Sequence, residues 1–194
     1  MRYVLASQSP RRQELLGKLG IEFDIEPAAG EEFYQGQTPA DTVQGLAAAK
    51  AMEIMENYSL QERENLVVIG ADTIVVCEGD IIGKPKDRAH MGEMMARLQG
   101  QTHEVYTGVA LCYMRDGALC GDTFAECTQV HMYPMSEAQL ASYAANSDGL
   151  DKAGGYGIQS DAAIYVSGIT GDYHNVVGLP IARLYHEMLE RGLL

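Results

Sequence analysis

One aspartate stands inside one of the most apolar stretches of the chain. Asp72 lies between the runs 67–69 and 74–76, in a segment with the composition of a buried strand. A carboxylate in such a segment costs free energy unless a cation, hydrogen-bond donors or a metal ion compensates its charge. From the residues alone, Asp72 is therefore either half of a structural ion pair or part of a chemical site.

Hydroxyls and guanidiniums cluster between a predicted strand and a predicted helix near the start of the sequence. The cluster contains Ser7, Ser9, Arg11 and Arg12, and Pro10 suits the first turn of the helix. A helix start offers backbone N–H groups to an anion, and arginine can bind phosphate through two hydrogen bonds. The pattern predicts a polyphosphate cradle, although not a Walker A loop. A capped helix with two solvated arginines is the alternative.

A glycine-rich segment with the sequence DKAGGYGIQ occupies residues 151–159. Its glycines allow the backbone to approach a ligand closely. Asp151 and Lys152 add an oxygen ligand and a cation, and the amide of Gln159 can read the edge of a base. The alternative interpretation is a flexible turn.

The turn after the apolar strand suggests a cation for Asp72. A three-residue turn at 78–80 pairs residue 77 with 81 and, further along the ladder, residue 74 with 84. Asp72 and Lys84 are then diagonal neighbours on one face of the hairpin. A slip of one residue moves them to opposite faces, so this predicted site depends on the register.

Two further groups suit a phosphate or metal site. Glu31 and Glu32 lie in a polar loop, and Lys50 lies on the second predicted helix. Carboxylate oxygens are ligands that favour Mg²⁺ or Mn²⁺ as the bound metal ion. Each of these side chains taken singly also fits a solvated surface position.

The charge distribution favours a small anionic ligand. The chain carries 14 Lys and Arg against 27 Asp and Glu, a net charge of −13, which argues against general binding to nucleic acids or anionic membranes. Residues 1–20 run against this trend, with four cations and Glu14 as the one carboxylate. A cationic spot on an acidic protein is typical of a polyanion site, and a chance surface cluster is the alternative.

The cysteines and the apolar runs predict a cytoplasmic protein. Cys77, Cys112, Cys120 and Cys127 lack the CxxC spacing of a zinc site. A disulfide between Cys112 and Cys120 is conceivable across a hairpin, but small buried thiols are the preferred interpretation. The apolar runs are too short to span a bilayer, and the first residues resemble a strand more than a signal peptide.

Periodicity and capping signals place the elements that must position these residues. Strands are predicted at 3–6, 66–77, 81–85, 103–114, 118–133 and 162–169, and helices at 10–19, 39–57, 87–98, 136–145 and 179–191. Residues 24–38 and 149–160 are expected to be loops. Strands with helices on both sides indicate an α/β fold with a mixed sheet. Without a linker or repeat, residues 1–194 are expected to form a single domain.

Five blocks of sequence together resemble the Maf family. They are LASQSPRRQELL at 5–16, GADTIV at 70–75, GKP at 83–85, DKAGGYGIQ at 151–159 and NVVGLP at 175–180. They occur in that family's order and cover nearly the whole chain. The resemblance implies a cytoplasmic nucleotide pyrophosphatase with an elongated, strongly twisted mixed β-sheet flanked by helices. It also implies two lobes with a cleft, as in the inosine triphosphate pyrophosphatase fold, and a homodimer.

The resemblance also implies a role for each matched residue. Asp72 matches the proton acceptor, and Arg11, Thr73 and Gln159 match the positions that set base specificity, with residue types similar to the dTTP/UTP branch. Ser7, Arg12, Glu32, Lys50 and Lys84 match the polar lining of the site. Gln8 departs from the small residues that are frequent at its position.

The predicted activity is metal-dependent hydrolysis of nucleoside triphosphates, above all dTTP and UTP, to the monophosphate and pyrophosphate. Phosphate binding is assigned to Ser7, Ser9, Arg12, Lys50, Lys84 and Lys152, and metal binding to Glu32 and Asp72. Canonical and modified pyrimidine nucleotides both stay open as the cellular substrate. The alternative function is a non-catalytic nucleotide sensor that binds a partner in cell division or septum control.

Overall fold

A computed structural model of the chain describes residues 1–30 and 36–194, and within those residues seven strands form one mixed sheet. The strands are β1 (Arg2–Leu5), β2 (Phe23–Ile25), β3 (Leu66–Cys77), β4 (Asp80–Ile82), β5 (Thr102–Arg115), β6 (Ala118–Met132) and β7 (Val166–Thr170). Their hydrogen-bonded order is β2-β1-β3-β5-β6-β7, with β4 beside β3. β1 runs parallel to β2 and β3, whereas β4 is antiparallel to β3 and β7 to β6.

The helices within the described residues are α1 (Pro10–Gly17), α2 (Pro39–Glu56), α3 (Leu60–Arg63), α4 (Arg88–Leu98), α5 (Glu137–Asn146), α6 (Tyr173–Val177) and α7 (Ile181–Glu190). The predicted α/β class with a mixed sheet is thereby confirmed. β2, α3 and α6 were missed, because short elements give little periodicity. The strand predicted at 162–169 begins at Val166, since Asp161–Tyr165 forms a 3-10 turn. None of the described helices is long and apolar enough to cross a membrane.

Side-chain caps fix several helix starts. Thr38 and Asp41 form a reciprocal capping box at the start of α2, and Ser136 and Gln139 form another at α5. The carboxylate of Asp87 accepts the N–H of His90 at the start of α4. Ser9 stands at the N-cap of α1, as expected, but its side chain makes no capping hydrogen bond.

The β3–β4 hairpin differs from its predicted register by one residue. Cys77 pairs with Asp80 and Val75 with Ile82, so the turn contains only Glu78 and Gly79. Both turn residues have positive φ, 53° and 88°, as the tight turn of a twisted hairpin requires. The predicted pairing of residue 74 with 84 is therefore wrong, and β4 ends before Lys84.

The chain divides into two compact units, each with its own apolar core. The first comprises residues 1–72, 107–126 and 178–194, and the second comprises residues 73–106 and 127–177. The first core joins the inner face of α2 to β1 and β3 through side chains such as Val4, Ala47, Ala51, Met55 and Val68. The second core gathers α4, α5 and the glycine-rich loop around Val75, Met91, Met95, Tyr143 and Tyr156. The single-domain assignment stays a prediction.

Candidate active site

Asp72 forms a buried ion pair with a lysine of the first unit. Lys50 Nζ on α2 lies 2.5 Å from Asp72 Oδ1 on β3, and the two side chains are 18% and 9% exposed. A buried carboxylate of this kind requires a charge partner, and Lys50 supplies it. The sequence had suggested Lys84 instead, on a hairpin register that the structure does not have.

Two glycines allow α2 to lie close enough to the sheet for this pair to form. A Cβ atom on Gly70 of β3 would stand 2.2 Å from the carbonyl oxygen of Ala47, and one on Gly108 of β5 would stand 2.2 Å from that of Val43. Such distances are far inside van der Waals contact, so only glycine fits. Because Ala47 and Ala51 flank Lys50 on the helix, this close packing holds the ammonium group over the strand.

The hydroxyl and guanidinium cluster is organised around Ser7 and Arg12. Arg12 donates from Nε to the carbonyl of Gly178, 2.8 Å, and from Nη1 to Ser7 Oγ, 3.1 Å. Ser7 Oγ also accepts the backbone N–H of Ser9 at 3.3 Å. These bonds fix the loop between β1 and α1 and connect it to the NVVGLP block.

The parallel register brings this loop to the segment that carries Asp72. Leu5 of β1 pairs with Ile69 of β3, and the backbone N–H of Ala6 still donates to the carbonyl of Ile69, 2.8 Å. The loop that starts at Ser7 therefore leaves the sheet beside residues 70–72. The structure thus brings Ser7, Arg12, Lys50 and Asp72 to one end of β1 in the first unit. Ser9 and Arg11 lie in the same region, at the start of α1, and are partly exposed.

Lys152 lies inside the glycine-rich loop. Its ammonium group donates to the backbone carbonyl of Asp148, 2.6 Å, to the carboxylate of Asp148, 3.1 Å, and to that of Asp151, 2.7 Å. Burial by itself would raise the pKa of Asp148, but hydrogen bonds from Lys152 and Ser160 and the charge of Lys152 outweigh it and lower that pKa. The observed contacts of Lys152 close the loop, and its predicted contact with phosphate stays a prediction.

Of the four remaining predicted site residues, the structure describes Thr73, Lys84 and Gln159. Thr73 follows Asp72 on β3, is partly exposed, and by strand alternation points to the opposite face. Lys84 lies in the second unit and lines a hollow of about 320 Å³ with Ile82, His90 and Arg97. Gln159 is exposed at the end of the glycine-rich loop. Glu32 lies outside the described residues.

The fit of a divalent metal can be judged from the oxygen donors. Across residues 1–30 and 36–194, no three His, Cys, Asp or Glu side chains come close enough together to hold a metal ion. Asp72 offers one carboxylate at the site. That donor set is typical of Mg²⁺ held by one or two carboxylates with substrate phosphates and water as the other ligands, and does not fit a closed protein cage.

A buried hydrogen bond at the glycine-rich loop was not predicted from the sequence. His103 Nε2 on β5 lies 2.6 Å from the hydroxyl oxygen of Tyr156, and the rings meet edge to face at 5.3 Å. Burial, with a smaller contribution from the charge of His131, lowers the pKa of His103 to about 4. His103 is therefore neutral at physiological pH, and His and Tyr at this separation in sequence form no recognisable motif.

None of the four cysteines, all of which lie in the described part of the chain, forms a disulfide. Cys77 and Cys112 are buried, as the preferred interpretation expected, but that interpretation is wrong for Cys120, which is half-buried, and for Cys127, which is exposed. Burial raises the pKa of Cys112 to about 11, so its thiol is protonated and unreactive at neutral pH.

The fold is α/β with a mixed sheet, and a buried carboxylate–lysine pair lies at the same end of β1 as a serine–arginine loop. These features are typical of the class of protein that binds a polyanion next to a carboxylate. The chain belongs to the Maf family, because the family model described as Maf-like protein matches residues 2–191. The family membership expected from the five sequence blocks is thereby confirmed.

The curated relatives share nearly the full length of the chain. A protein of Agathobacter rectalis named dTTP/UTP pyrophosphatase is 44% identical, and the match covers 98% of this chain and 97% of the relative. Proteins of the same name from Bacillus cytotoxicus and Bacillus anthracis are each 45% identical and cover 96% and 95% of this chain and 94% and 93% of their own lengths. Among solved structures, the Staphylococcus aureus Ham1 protein matches with a TM-score of 0.42 and 11% identity, over 68% of this chain and 72% of that one.

Proposed function

We propose that this chain is a nucleoside triphosphate pyrophosphatase that converts dTTP and UTP to the monophosphate and pyrophosphate. The observation that carries the proposal is the buried Lys50–Asp72 pair at the end of β1, in a chain about 45% identical to proteins named for this activity. A purely structural ion pair would need no anion-binding loop beside it. Here Ser7 and Arg12 lie at the same end of the sheet as the pair, which favours a chemical role.

In the proposed reaction, water attacks the α-phosphorus and pyrophosphate leaves. Asp72 orients this water and accepts its proton, and Lys50 holds the carboxylate in place while compensating its charge. Little covalent chemistry falls to the protein in phosphoryl transfer, so positioning and charge neutralisation supply most of the rate. The short Lys50–Asp72 contact contributes to positioning, because it holds the carboxylate in place.

The phosphates are assigned to the serine–arginine loop and to three lysines. Ser7, Ser9 and Arg12 offer hydroxyl and guanidinium donors at the start of α1, and Lys50 lies over β3. Lys84 and Lys152 complete the proposed set. The contacts of Lys152 with Asp148 and Asp151 give it the added task of fixing its loop.

A divalent cation, Mg²⁺ or Mn²⁺, is the proposed cofactor, with Asp72 and Glu32 as its protein ligands. When bound, it would neutralise the charge that develops on the phosphate oxygens. Cysteines without a disulfide among the described residues suit a reducing cytoplasm, which we propose as the location. A homodimer is the proposed assembly.

Base choice is assigned to Gln159, with Arg11 and Thr73 as further contributors. The amide of Gln159 offers one donor and one acceptor, which complement the O4 and N3–H edge shared by thymine and uracil. Cytosine inverts that pattern. The exposed position of Gln159 leaves this amide accessible to a ligand.

The rival function, a nucleotide sensor without catalysis, uses the same residues for binding alone. Pyrophosphate release separates the two, because a sensor returns the nucleotide unchanged. We expect UTP and dTTP with Mg²⁺ or Mn²⁺ to yield monophosphate and pyrophosphate, and reaction in ¹⁸O-labelled water to place the label in the monophosphate. Orthophosphate and nucleoside diphosphate as first products would overturn the assignment, and absence of turnover would favour the sensor.

A further inference from the structure

We propose that His103 and Tyr156 form a buried anchor that sets the position of Gln159 and thereby the choice of base. This inference rests on the proposed function, because it gives Gln159 the task of reading the base. His103 and Tyr156 are positioning residues, since neither touches the substrate in this scheme.

The anchor lies where the glycine-rich loop enters the core of the second unit. Tyr156 is 5% exposed and His103 is 1% exposed, and their 2.6 Å hydrogen bond joins the loop to β5. Three residues later, Gln159 is at the surface. The loop therefore passes from the buried Tyr156 to the exposed amide of Gln159 within one short turn.

That turn is itself rigidly closed. The backbone N–H and the hydroxyl of Ser160 both donate to the carbonyl of Gly157, each at 3.1 Å. A Cβ atom on Gly157 would meet the stem of Lys152 at 2.9 Å, so Lys152 packs directly on the turn. A displacement of Tyr156 is therefore transmitted to Gln159 and is not absorbed between them.

Other hydrogen bonds hold the backbone of the loop before Tyr156, and the anchor holds the Tyr156 side chain. The hydroxyl of Tyr143 donates to the carbonyl of Gly155, 2.9 Å, and the N–H of Gly154 donates to the carbonyl of Gly83, 2.9 Å. Gly154 and Gly155 have φ of 70° and 72°, which glycine adopts without strain. These bonds fix the backbone before Tyr156, whereas the His103 bond fixes the side chain next to the base-reading turn.

A hydrogen bond is needed here because apolar packing alone is non-directional. A phenylalanine would fill the same space but would leave His103 without its Tyr156 partner and remove the hydrogen bond that ties the ring to β5. Since a displacement of about 1 Å can cost about 10²-fold in rate, we expect Tyr156→Phe to lower the UTP-to-CTP ratio of kcat/KM by about tenfold or more.

The test compares four variants in steady-state kinetics with UTP and CTP. Tyr156→Phe and His103→Leu remove the bond, and His103→Gln keeps an amide that can meet the Tyr156 hydroxyl. Tyr3→Phe is the matched control, because Tyr3 also buries a hydroxyl, which donates to the carbonyl of Leu193 at 2.7 Å, but lies in the first unit. We expect a reduced ratio for Tyr156→Phe and His103→Leu, a ratio nearer to wild type for His103→Gln, and no change of ratio for Tyr3→Phe.

An unchanged ratio in folded Tyr156→Phe, or equal ratios in His103→Gln and His103→Leu, would overturn the anchor. Amide hydrogen exchange over residues 154–159 provides a readout independent of catalysis, and faster exchange in Tyr156→Phe than in Tyr3→Phe supports the anchor. If the wild-type protein releases no pyrophosphate, the proposed function fails while the exchange experiment still decides on the anchor. Exchange that is unchanged in both variants would then refute it.

Discussion

At the scale of the residue, the proposed chemistry depends on how the charge of Asp72 is compensated. Lys50 provides a strong contact at 2.5 Å, from a side chain that is 18% exposed. Removing one member of a buried pair leaves the other uncompensated, which commonly costs about 3–5 kcal/mol of stability. Tests at Asp72 therefore need a measurement of folding beside the measurement of rate.

Asp72→Asn keeps the shape of the side chain and removes the proposed base. We expect turnover of UTP to fall by at least about 10²-fold, the usual contribution of general base catalysis, while nucleotide binding survives. Steady-state kinetics with a melting curve check this. Asp24→Asn, at an exposed aspartate that pairs with Arg2, is the control and should turn over normally. Near-normal turnover in folded Asp72→Asn would remove Asp72 from the mechanism.

In the proposed function, Gln159 is the residue that reads the base. We expect Gln159→Ala to cost dTTP and UTP roughly 1–3 kcal/mol in transition-state binding, the scale of an unpaired polar partner. Its effect on CTP should be much smaller, because CTP does not match the amide. Parallel kcat/KM measurements on UTP and CTP decide the point. Equal losses on both would show that Gln159 supports the loop without reading the base.

At the scale of the element, the position of α2 on the sheet decides whether the Lys50–Asp72 pair can form. Gly70 and Gly108 allow the helix backbone to touch β3 and β5, and no side chain fits at either point. The hairpin gives a second example, since its two-residue turn fixes the face that each β4 side chain takes. In both cases a local backbone feature determines which side chains can meet.

Gly70→Ala should displace α2 and separate Lys50 from Asp72. The added Cβ atom would stand 2.2 Å from the carbonyl of Ala47, and overpacking of this kind typically costs about 1–3 kcal/mol. We expect a lower melting temperature together with a lower kcat for UTP. Gly121→Ala, also in a strand but with no atom within 4 Å of the new Cβ, is the matched control. Turnover equal to that of Gly121→Ala would show that the close approach of α2 is not needed for catalysis.

At the scale of the whole molecule, an acidic chain must bind a polyanion. The net charge of −13 opposes the approach of a triphosphate, and the cations of residues 1–20 counter this locally. A divalent metal that arrives with the nucleotide reduces the opposing charge further. Binding to the folded state should therefore be strongly metal-dependent.

A non-hydrolysable nucleotide makes this measurable without turnover. With α,β-imido-UTP at about 100 times its Kd and Mg²⁺ present, we expect the folded state to gain about 2.7 kcal/mol, seen as a rise in melting temperature. Chelation of the metal should abolish most of that rise, and α,β-imido-CTP should give a smaller one. A shift of equal size with and without metal would contradict the proposed cofactor.

The sequence by itself determined the class of fold and singled out one carboxylate that needs a partner. Alternating and continuous apolar runs predicted the long strands, and capping residues such as Thr38 and Ser136 predicted helix starts, because both signals are local. Asp72 was identifiable because a carboxylate in so apolar a strand must have a partner. The Maf-like blocks added the family.

Only the tertiary structure decided which partners meet. The cation of Asp72 is Lys50, which lies 22 positions away in sequence, and its selection depends on how closely α2 approaches the sheet at Gly70. The prediction of Lys84 failed because a one-residue change in a turn inverts every side chain that follows. The His103–Tyr156 bond spans 53 positions and has no local signal. Contacts of this range are set by packing, which no short stretch of sequence encodes.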